Sequence, residues 1–165
     1  MVTMAFPVVL VGWFASASTT LLMAGNPSSP AEPAHAHPHA QTAAVAQVTL
    51  NAGQKWQTDA SLRSGMAAIR KTFDADHPAI HQGKETDAQY DALATAVETE
   101  VNTIIANCKL PKDADANLHF VIADLLQGVN WMRGKDADRV RHDGAERIHG
   151  ALRAYAKNFD DPTWA

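Results

Sequence analysis

Residues 86–108 read TDAQYDALATAVETEVNTIIANC and predict one long amphipathic helix. Thr86 and Gln89 have the spacing of a capping box, in which each side chain binds the backbone N–H of the other residue. Large apolar residues then recur at steps of three and four, which places them on one face of a helix. They are Tyr90, Leu93, Val97, Val101, Ile104 and Cys108. Such a stripe must be buried against other helices.

A helix with the same spacing is predicted on the N-terminal side. Asp59 is a suitable N-cap for it. Its apolar stripe consists of Leu62, Met66, Ile69 and Phe73. Pro78 should limit or kink its far end, because proline lacks the N–H that a helix interior needs.

Two more helices are predicted on the C-terminal side. Pro111 breaks the chain, and Asp113 or Asp115 should cap a third helix. Its stripe is Leu118, Ile122, Leu125, Val129 and Met132. A fourth helix should run from about Asp136 until Pro162 stops it. Its inward positions are Val140, Gly144, Ile148, Leu152, Tyr155 and Phe159.

These helices are joined by short connections, so antiparallel neighbours should pack their stripes together. The sequence therefore predicts an all-α fold, an up-down-up-down four-helix bundle over residues 58–165. Apolar and polar residues do not alternate with a period of two, so no sheet is expected.

Composition limits the partners of this single domain. Beyond residue 47 the chain carries 17 acidic and 14 basic residues, a net charge of −3. A nucleic-acid partner is not expected, because it normally requires a clustered basic surface. Cys108 is the single cysteine, so an internal disulfide is excluded. Self-association to a homo-oligomer is compatible with this composition.

The N-terminal residues resemble an export signal. No Lys or Arg occurs in residues 1–54, and an apolar run extends from Ala5 to Phe14. A run of this length followed by small residues predicts a signal peptide over residues 1–24, and a periplasmic or secreted protein. An uncleaved membrane anchor is the alternative, and no other membrane contact is expected.

Residues 25–57 should form a disordered tether and lead-in, rich in Pro, Ala and His. Within it, His35, His37 and His39 form an H-x-H-x-H tract. Neutral imidazoles bind Cu(II), Ni(II) or Zn(II), and a flexible tract can place several around one ion. The alternative is a solvated linker whose histidines bind nothing.

Residues 62–66 (LRSGM) and 152–159 (LRAYAKNF) give the predicted bundle a topological resemblance to the four-helix cytochromes of the b562 and c-prime type. The resemblance to the first group implies haem bound by Met66 and by a histidine near the end of helix four. Ala156 stands where that histidine would be, and the nearest histidine, His149, lies two turns earlier. The alternative for Met66 is core packing.

Residues 50–56 (LNAGQKW), 107–111 (NCKLP) and 161–164 (DPTW) resemble small proteobacterial periplasmic proteins labelled DnrO-like. This resemblance implies export and a small helical body. It assigns no activity and no functional residue.

Cys108 and His119 flank the connection between helices two and three, where a thiolate and an imidazole could share Cu(I) or Zn(II). The alternative for Cys108 is burial at the end of its stripe. His77 and His81 could add imidazoles if the helix persists through Pro78, but they should lie away from Cys108.

No motif of a nucleophilic, phosphate-binding or di-iron enzyme occurs in the sequence. We therefore expect an exported, non-enzymatic binding protein whose ligand is a transition metal (Cu, Ni or Zn). A haem or redox carrier that uses Met66 is one alternative, and a structural or partner-binding envelope module is the other.

Overall fold

The structure, a computed structural model, describes residues 43–164. The α-helices in this part of the chain are α1 (Ala60–His81), α2 (Asp87–Asn107), α3 (Lys112–Met132) and α4 (Arg141–Asn158). Consecutive helices are joined by short connections and pack side by side. The predicted all-α four-helix arrangement is confirmed. The signal peptide predicted at residues 1–24 lies outside the described residues.

Contacts at the two ends of the bundle show the directions of the helices. Asp59, before α1, accepts a hydrogen bond from the backbone N–H of Lys109, just after α2 (2.5 Å). At the other end, Arg141 at the start of α4 pairs with Asp91 near the start of α2 (2.6 Å) and donates to the carbonyl of Met132 at the end of α3. The helices therefore alternate in direction.

The sequence predicted the starts of α1 and α2 correctly. Asp59 accepts the backbone N–H of Leu62 (2.7 Å). In the capping box, the N–H of Gln89 donates to Thr86 Oγ1 (3.3 Å), and the N–H of Thr86 donates to Gln89 Oε1 (3.1 Å). Both caps depend only on residues within three positions of each other, so the local sequence is enough to specify them.

The predicted starts of α3 and α4 are wrong. The N-cap of α3 is Pro111, and Asp113 and Asp115 lie in the first turn, where their charges favour the positive end of the helix. Asp136 accepts the backbone N–H two residues ahead (3.0 Å) and thereby forms a turn in the connection instead of starting α4. Val140 is the N-cap of α4 and is 64% exposed, so it does not face inward.

Pro78 does not end α1, which continues to His81. A proline near the end of a helix removes only its own N–H bond, and the turn that follows can still close. Gly83 then terminates the helix with a φ of +64°, and its N–H donates to the carbonyl of Ile80 (2.9 Å).

A short parallel ribbon pairs the segment before α1 with the segment after α4 at one end of the bundle, although no sheet was expected. Strand β1 (Trp56–Gln57) pairs with β2 (Phe159–Asp160), and Trp56 lies opposite Phe159. Phe159 is therefore a strand residue rather than the last member of the helical stripe, although it is 1% exposed and belongs to the core. The two strands are too short to show a period in the sequence.

Residues 43–57 fold against the bundle, so the expected disordered lead-in is wrong for this part of the chain. Ala44–Gln47 form a turn of 3₁₀-helix that lies on α3 and α4. The first two N–H groups of this turn donate to the carboxylate of Asp124, at 2.9 Å each. Val45 packs against the core. The preceding tether residues, 25–42, lie outside the described residues.

One apolar core lies between the four helices. Its largest fully buried side chains are Tyr155, Phe159, Leu62, Met66, Ile69, Ile80, Leu93, Ile104, Leu118, Leu125, Met132 and Ile148. Between residues 43 and 164, none of the helices combines the length and the apolar character needed to cross a membrane.

Candidate metal-binding site

The predicted metal ligands fall into two groups. His35, His37 and His39 lie outside the described residues, so metal binding by this tract stays a prediction. Cys108 and His119 are described, and they have different partners. Among residues 43–164, no three His, Cys, Asp or Glu side chains are placed so that they could hold a metal ion together.

Cys108 is the C-cap residue of α2 and is half-buried. Burial and the charge of Asp59, to which the thiol is hydrogen-bonded, raise the pKa of Cys108 to about 12. The thiol is therefore protonated at neutral pH, whereas the thiolate is the metal ligand. These surroundings favour a packing role for this side chain.

His119 is exposed on α3, at 68% of its side-chain area. Its Nδ1 lies 2.8 Å from the backbone carbonyl oxygen of Asp115, one turn earlier. The carbonyl can only accept, so Nδ1 is the donor in this hydrogen bond. The ring thus bonds to its own helix, while Cys108 bonds to Asp59.

Met66 is completely buried in the middle of α1 and belongs to the continuous core. This position agrees with its predicted place in the apolar stripe. No described contact of Met66 points to a cofactor, and haem binding stays a prediction.

Three histidines, two on α1 and one on α4, lie close together near the end of α1. We call His77, His81 and His149 the histidine cluster. The ring centres of His77 and His149 are 5.2 Å apart with an angle of 63° between the rings. The ring centres of His77 and His81 are 6.2 Å apart. Phe73 lies beside this group, with its ring centre 5.4 Å from His77 and 5.5 Å from His149.

The helices themselves bring the cluster together. Because α1 continues through Pro78, His77 and His81 are four positions apart on one helix face. Because α4 runs antiparallel to α1, its residue His149 lies beside the same turns. The sequence showed the i and i+4 spacing of His77 and His81. It did not show that His149 of α4 lies beside them, because only the tertiary structure determines this.

The cluster is open to solvent on one side and closed on the other. Phe73 is 2% exposed, whereas His77 and His149 are half-buried and His81 is exposed. Imidazoles at the edge of an apolar floor can bind an ion that enters from solvent. Their ring nitrogens are the only ligand atoms that the cluster itself provides.

A cavity of about 520 Å³ lies at the same end of the bundle, between the α1–α2 and α3–α4 connections. Its lining includes Glu85, Tyr90 and Arg141. Both carboxylate oxygens of Glu85 are buried without a hydrogen-bond partner. Burial, and to a lesser extent the charge of Asp76, raises the pKa of Glu85 above its ordinary value.

Comparison of the chain with protein families, with curated protein sequences and with solved structures finds no match.

Proposed function

We propose that this chain is a non-enzymatic binding protein for a divalent transition-metal ion, Cu(II), Ni(II) or Zn(II), and that the histidine cluster supplies the ligands. The observation that supports this proposal is the 5.2 Å between the ring centres of His77 and His149. Two imidazoles on one tetrahedral ion, with metal–nitrogen bonds of about 2.0–2.1 Å, have ring centres about 5 Å apart. This pair already has that spacing.

His81 is the third ligand in this proposal. Two histidines at i and i+4 on one helix face are an established arrangement for binding zinc. The 6.2 Å between the ring centres of His77 and His81 is too long for a tetrahedral pair, so His81 must move towards the ion. Side-chain rotation of an exposed residue in the last turn of α1 makes this movement inexpensive.

The ligand chemistry supports a borderline divalent ion rather than Cu(I). The cluster offers imidazole nitrogens, which suit Cu(II), Ni(II) and Zn(II), whereas Cu(I) prefers thiolate and thioether ligands. The thiol of Cys108 lies at the other end of the bundle, beside Asp59 at the start of α1. The extracytoplasmic setting of this function is supported only by the N-terminal sequence.

Calorimetric titration tests the proposed site. The chain with alanine at positions 35, 37 and 39 should bind one Zn(II) per molecule, because the three histidines of the cluster are unchanged in it. His77→Ala or His149→Ala in that background should weaken binding at least about tenfold, or about 1.4 kcal/mol, because each removes a ligand. His119→Ala is the matched control and should leave the affinity unchanged.

Two results would contradict this assignment. If the variant with the altered tract binds none of the three ions, the bundle contains no metal site. If His119→Ala weakens binding as much as His77→Ala does, the ion is not held by the cluster.

A further inference from the structure

We propose that the cavity between the α1–α2 and α3–α4 connections binds a small aliphatic amine, whose ammonium group donates hydrogen bonds to the carboxylate of Glu85. This site is separate from the histidine cluster, which does not line the cavity, and it requires no metal ion. The cavity has a volume of about 520 Å³. Pockets for small molecules have volumes of about 300–1,000 Å³, so a short-chain amine fits within it.

The two arginines that line the cavity already have acidic partners. Arg141 pairs with Asp87 at 3.3 Å and with Asp91 at 2.6 Å, both on α2. Arg139 lies 3.9 Å from the carboxylate of Asp143, one helical turn further along the chain. The positive charges of the cavity are therefore balanced by these carboxylates.

Glu85 differs from the other acidic residues of the lining. Asp87 is paired with Arg141, and Asp136 accepts a hydrogen bond from the indole N–H of Trp131 (3.0 Å). Both carboxylate oxygens of Glu85 are buried and have no hydrogen-bond partner among the described residues. A buried carboxylate without a partner lowers stability, and folded proteins keep such groups mainly at functional sites. The unmatched carboxylate of Glu85 indicates a place for a positively charged donor.

Tyr90 supports a cationic ligand with an apolar part. Burial raises the pKa of Tyr90, and the negative charges of Glu85, Asp87 and Glu146 raise it further. The cavity is therefore negative beside this ring, which is 6% exposed and belongs to the lining. An aromatic face attracts an ammonium ion and packs against its methylene groups. One carboxylate provides too few ligands for a metal ion, but it can accept the hydrogen bonds of an ammonium group.

The walls of the cavity are held in place without a ligand. Arg141 at the start of α4 donates to the carbonyl of Met132 at the end of α3, and it also pairs with α2. Glu85 lies in the α1–α2 connection and is only partly buried. Rotation about its side-chain bonds is enough to turn the carboxylate towards the cavity. Binding thus requires the movement of one side chain and no rearrangement of the helices.

Nuclear magnetic resonance titration of the metal-free full chain at pH 7 tests the site, with 1-aminobutane as the probe. The amide signals of residues 83–90 and 134–142 should shift saturably, with a Kd of about 1 mM. Glu85→Gln should weaken binding at least about tenfold, because it removes the charged acceptor. Unfolding cannot explain this loss, because the glutamine variant should be at least as stable as the parent chain. Glu100→Gln, at the other end of the bundle beside the start of α1, is the matched control and should leave the Kd unchanged.

Tetramethylammonium is the second probe, because it carries the same charge but has no N–H group. It should bind at least about tenfold more weakly than 1-aminobutane. Equal affinities for the two ions would overturn the proposed hydrogen bonds to Glu85.

Two further results would contradict the amine site. If no saturable shift occurs up to about 20 mM 1-aminobutane, the cavity does not bind amines. If Glu100→Gln weakens binding as much as Glu85→Gln does, the amine responds only to the net charge of −4 of the chain. His77→Ala should leave the Kd for 1-aminobutane unchanged, so this experiment is independent of the proposed metal-binding function.

Discussion

Asp124 and Glu85 both have buried carboxylates, but only that of Asp124 has hydrogen-bond partners. Asp124 is 1% exposed, accepts two backbone N–H groups and lies 3.1 Å from Arg147 Nε. Glu85 has both oxygens buried without a hydrogen-bond partner. A buried acceptor stabilises the fold when its hydrogen bonds are made and destabilises it when they are missing. Substitutions at the two residues should therefore have opposite effects.

Glu85→Gln should raise the free energy of unfolding at pH 7 by about 1 kcal/mol, because it removes an unpaired charge. Burial, and secondarily Asp76, raises the pKa of this carboxyl in the folded state. The ionised form therefore destabilises the fold above that pKa, and the penalty disappears once the pH falls below the unfolded pKa of about 4.3. Urea denaturation at pH 7 and at pH 3.5 should show the gain only at pH 7.

The control for this prediction is Glu146→Gln, at a side chain that is 54% exposed. It should change stability by less than about 0.5 kcal/mol. A gain at Glu85 that persists at pH 3.5 would show that the charge is not the cause.

Asp124→Ala should lower the free energy of unfolding by about 3–5 kcal/mol, because it removes the buried counter-charge of Arg147 and two backbone acceptors. It should also release residues 44–47 from α3, and exchange of the Ala44 and Val45 amides would report this. Asp113→Ala, at an exposed position in the same helix, should cost less than about 1 kcal/mol. Equal losses of stability at both positions would show that the buried contacts of Asp124 with Arg147 and with residues 44 and 45 do not stabilise the fold.

At the scale of the elements, α3 and α4 are joined by a contact that only glycine permits. A Cβ atom on Gly144 would lie 2.6 Å from two backbone atoms, the carbonyl oxygen of Gly128 and the nitrogen of Met132. Backbone atoms cannot relieve such a clash by rotating, as a flexible side chain can. The two helices would therefore have to move apart. The sequence placed Gly144 on the inward face of α4 but gave no sign of what it touches.

Gly144→Ala should therefore lower the free energy of unfolding by about 1–3 kcal/mol through overpacking. Gly150→Ala is the matched control in the same helix, because a Cβ atom there meets nothing within 4 Å. It should raise stability by about 0.5–1 kcal/mol, since alanine is the better helix former. Thermal denaturation of both variants checks the signs, and a stabilising Gly144→Ala would refute the close crossing.

The helices could be predicted because their signals are local. The stripe of α2 and the capping box of Thr86 and Gln89 lie within one segment, and both are found in the structure. Val140 and Phe159 were misassigned at the ends of a correct helix, because their neighbours in space, not in sequence, decide whether they continue it. The same holds for residues 43–57, whose contacts lie on α3, α4 and β2.

At the scale of the whole molecule, the candidate site required the tertiary structure. The sequence gave the spacing of His77 and His81 but not the persistence of α1 through Pro78, and nothing local linked them to His149. For Cys108, the sequence left open both burial and a metal site shared with His119. It gave no sign of the hydrogen bond between the thiol and Asp59, which forms because the N-cap of α1 lies beside the end of α2.

The parallel ribbon also determines how the folded part would respond to mechanical force. Its strands precede α1 and follow α4, so tension applied through the two ends of the chain would pull them in opposite directions along their axes. Parallel terminal strands are then loaded in shear, and all their bonds resist together. The bonds from Thr58 Oγ1 to the carbonyl of Asp160 (2.6 Å) and from Lys55 Nζ to the carbonyl of Ala156 (2.8 Å) share that load. A protein pulled by its ends would thus load the bonds from residues 44 and 45 to Asp124 first, and then this ribbon in shear, before any helix is stretched.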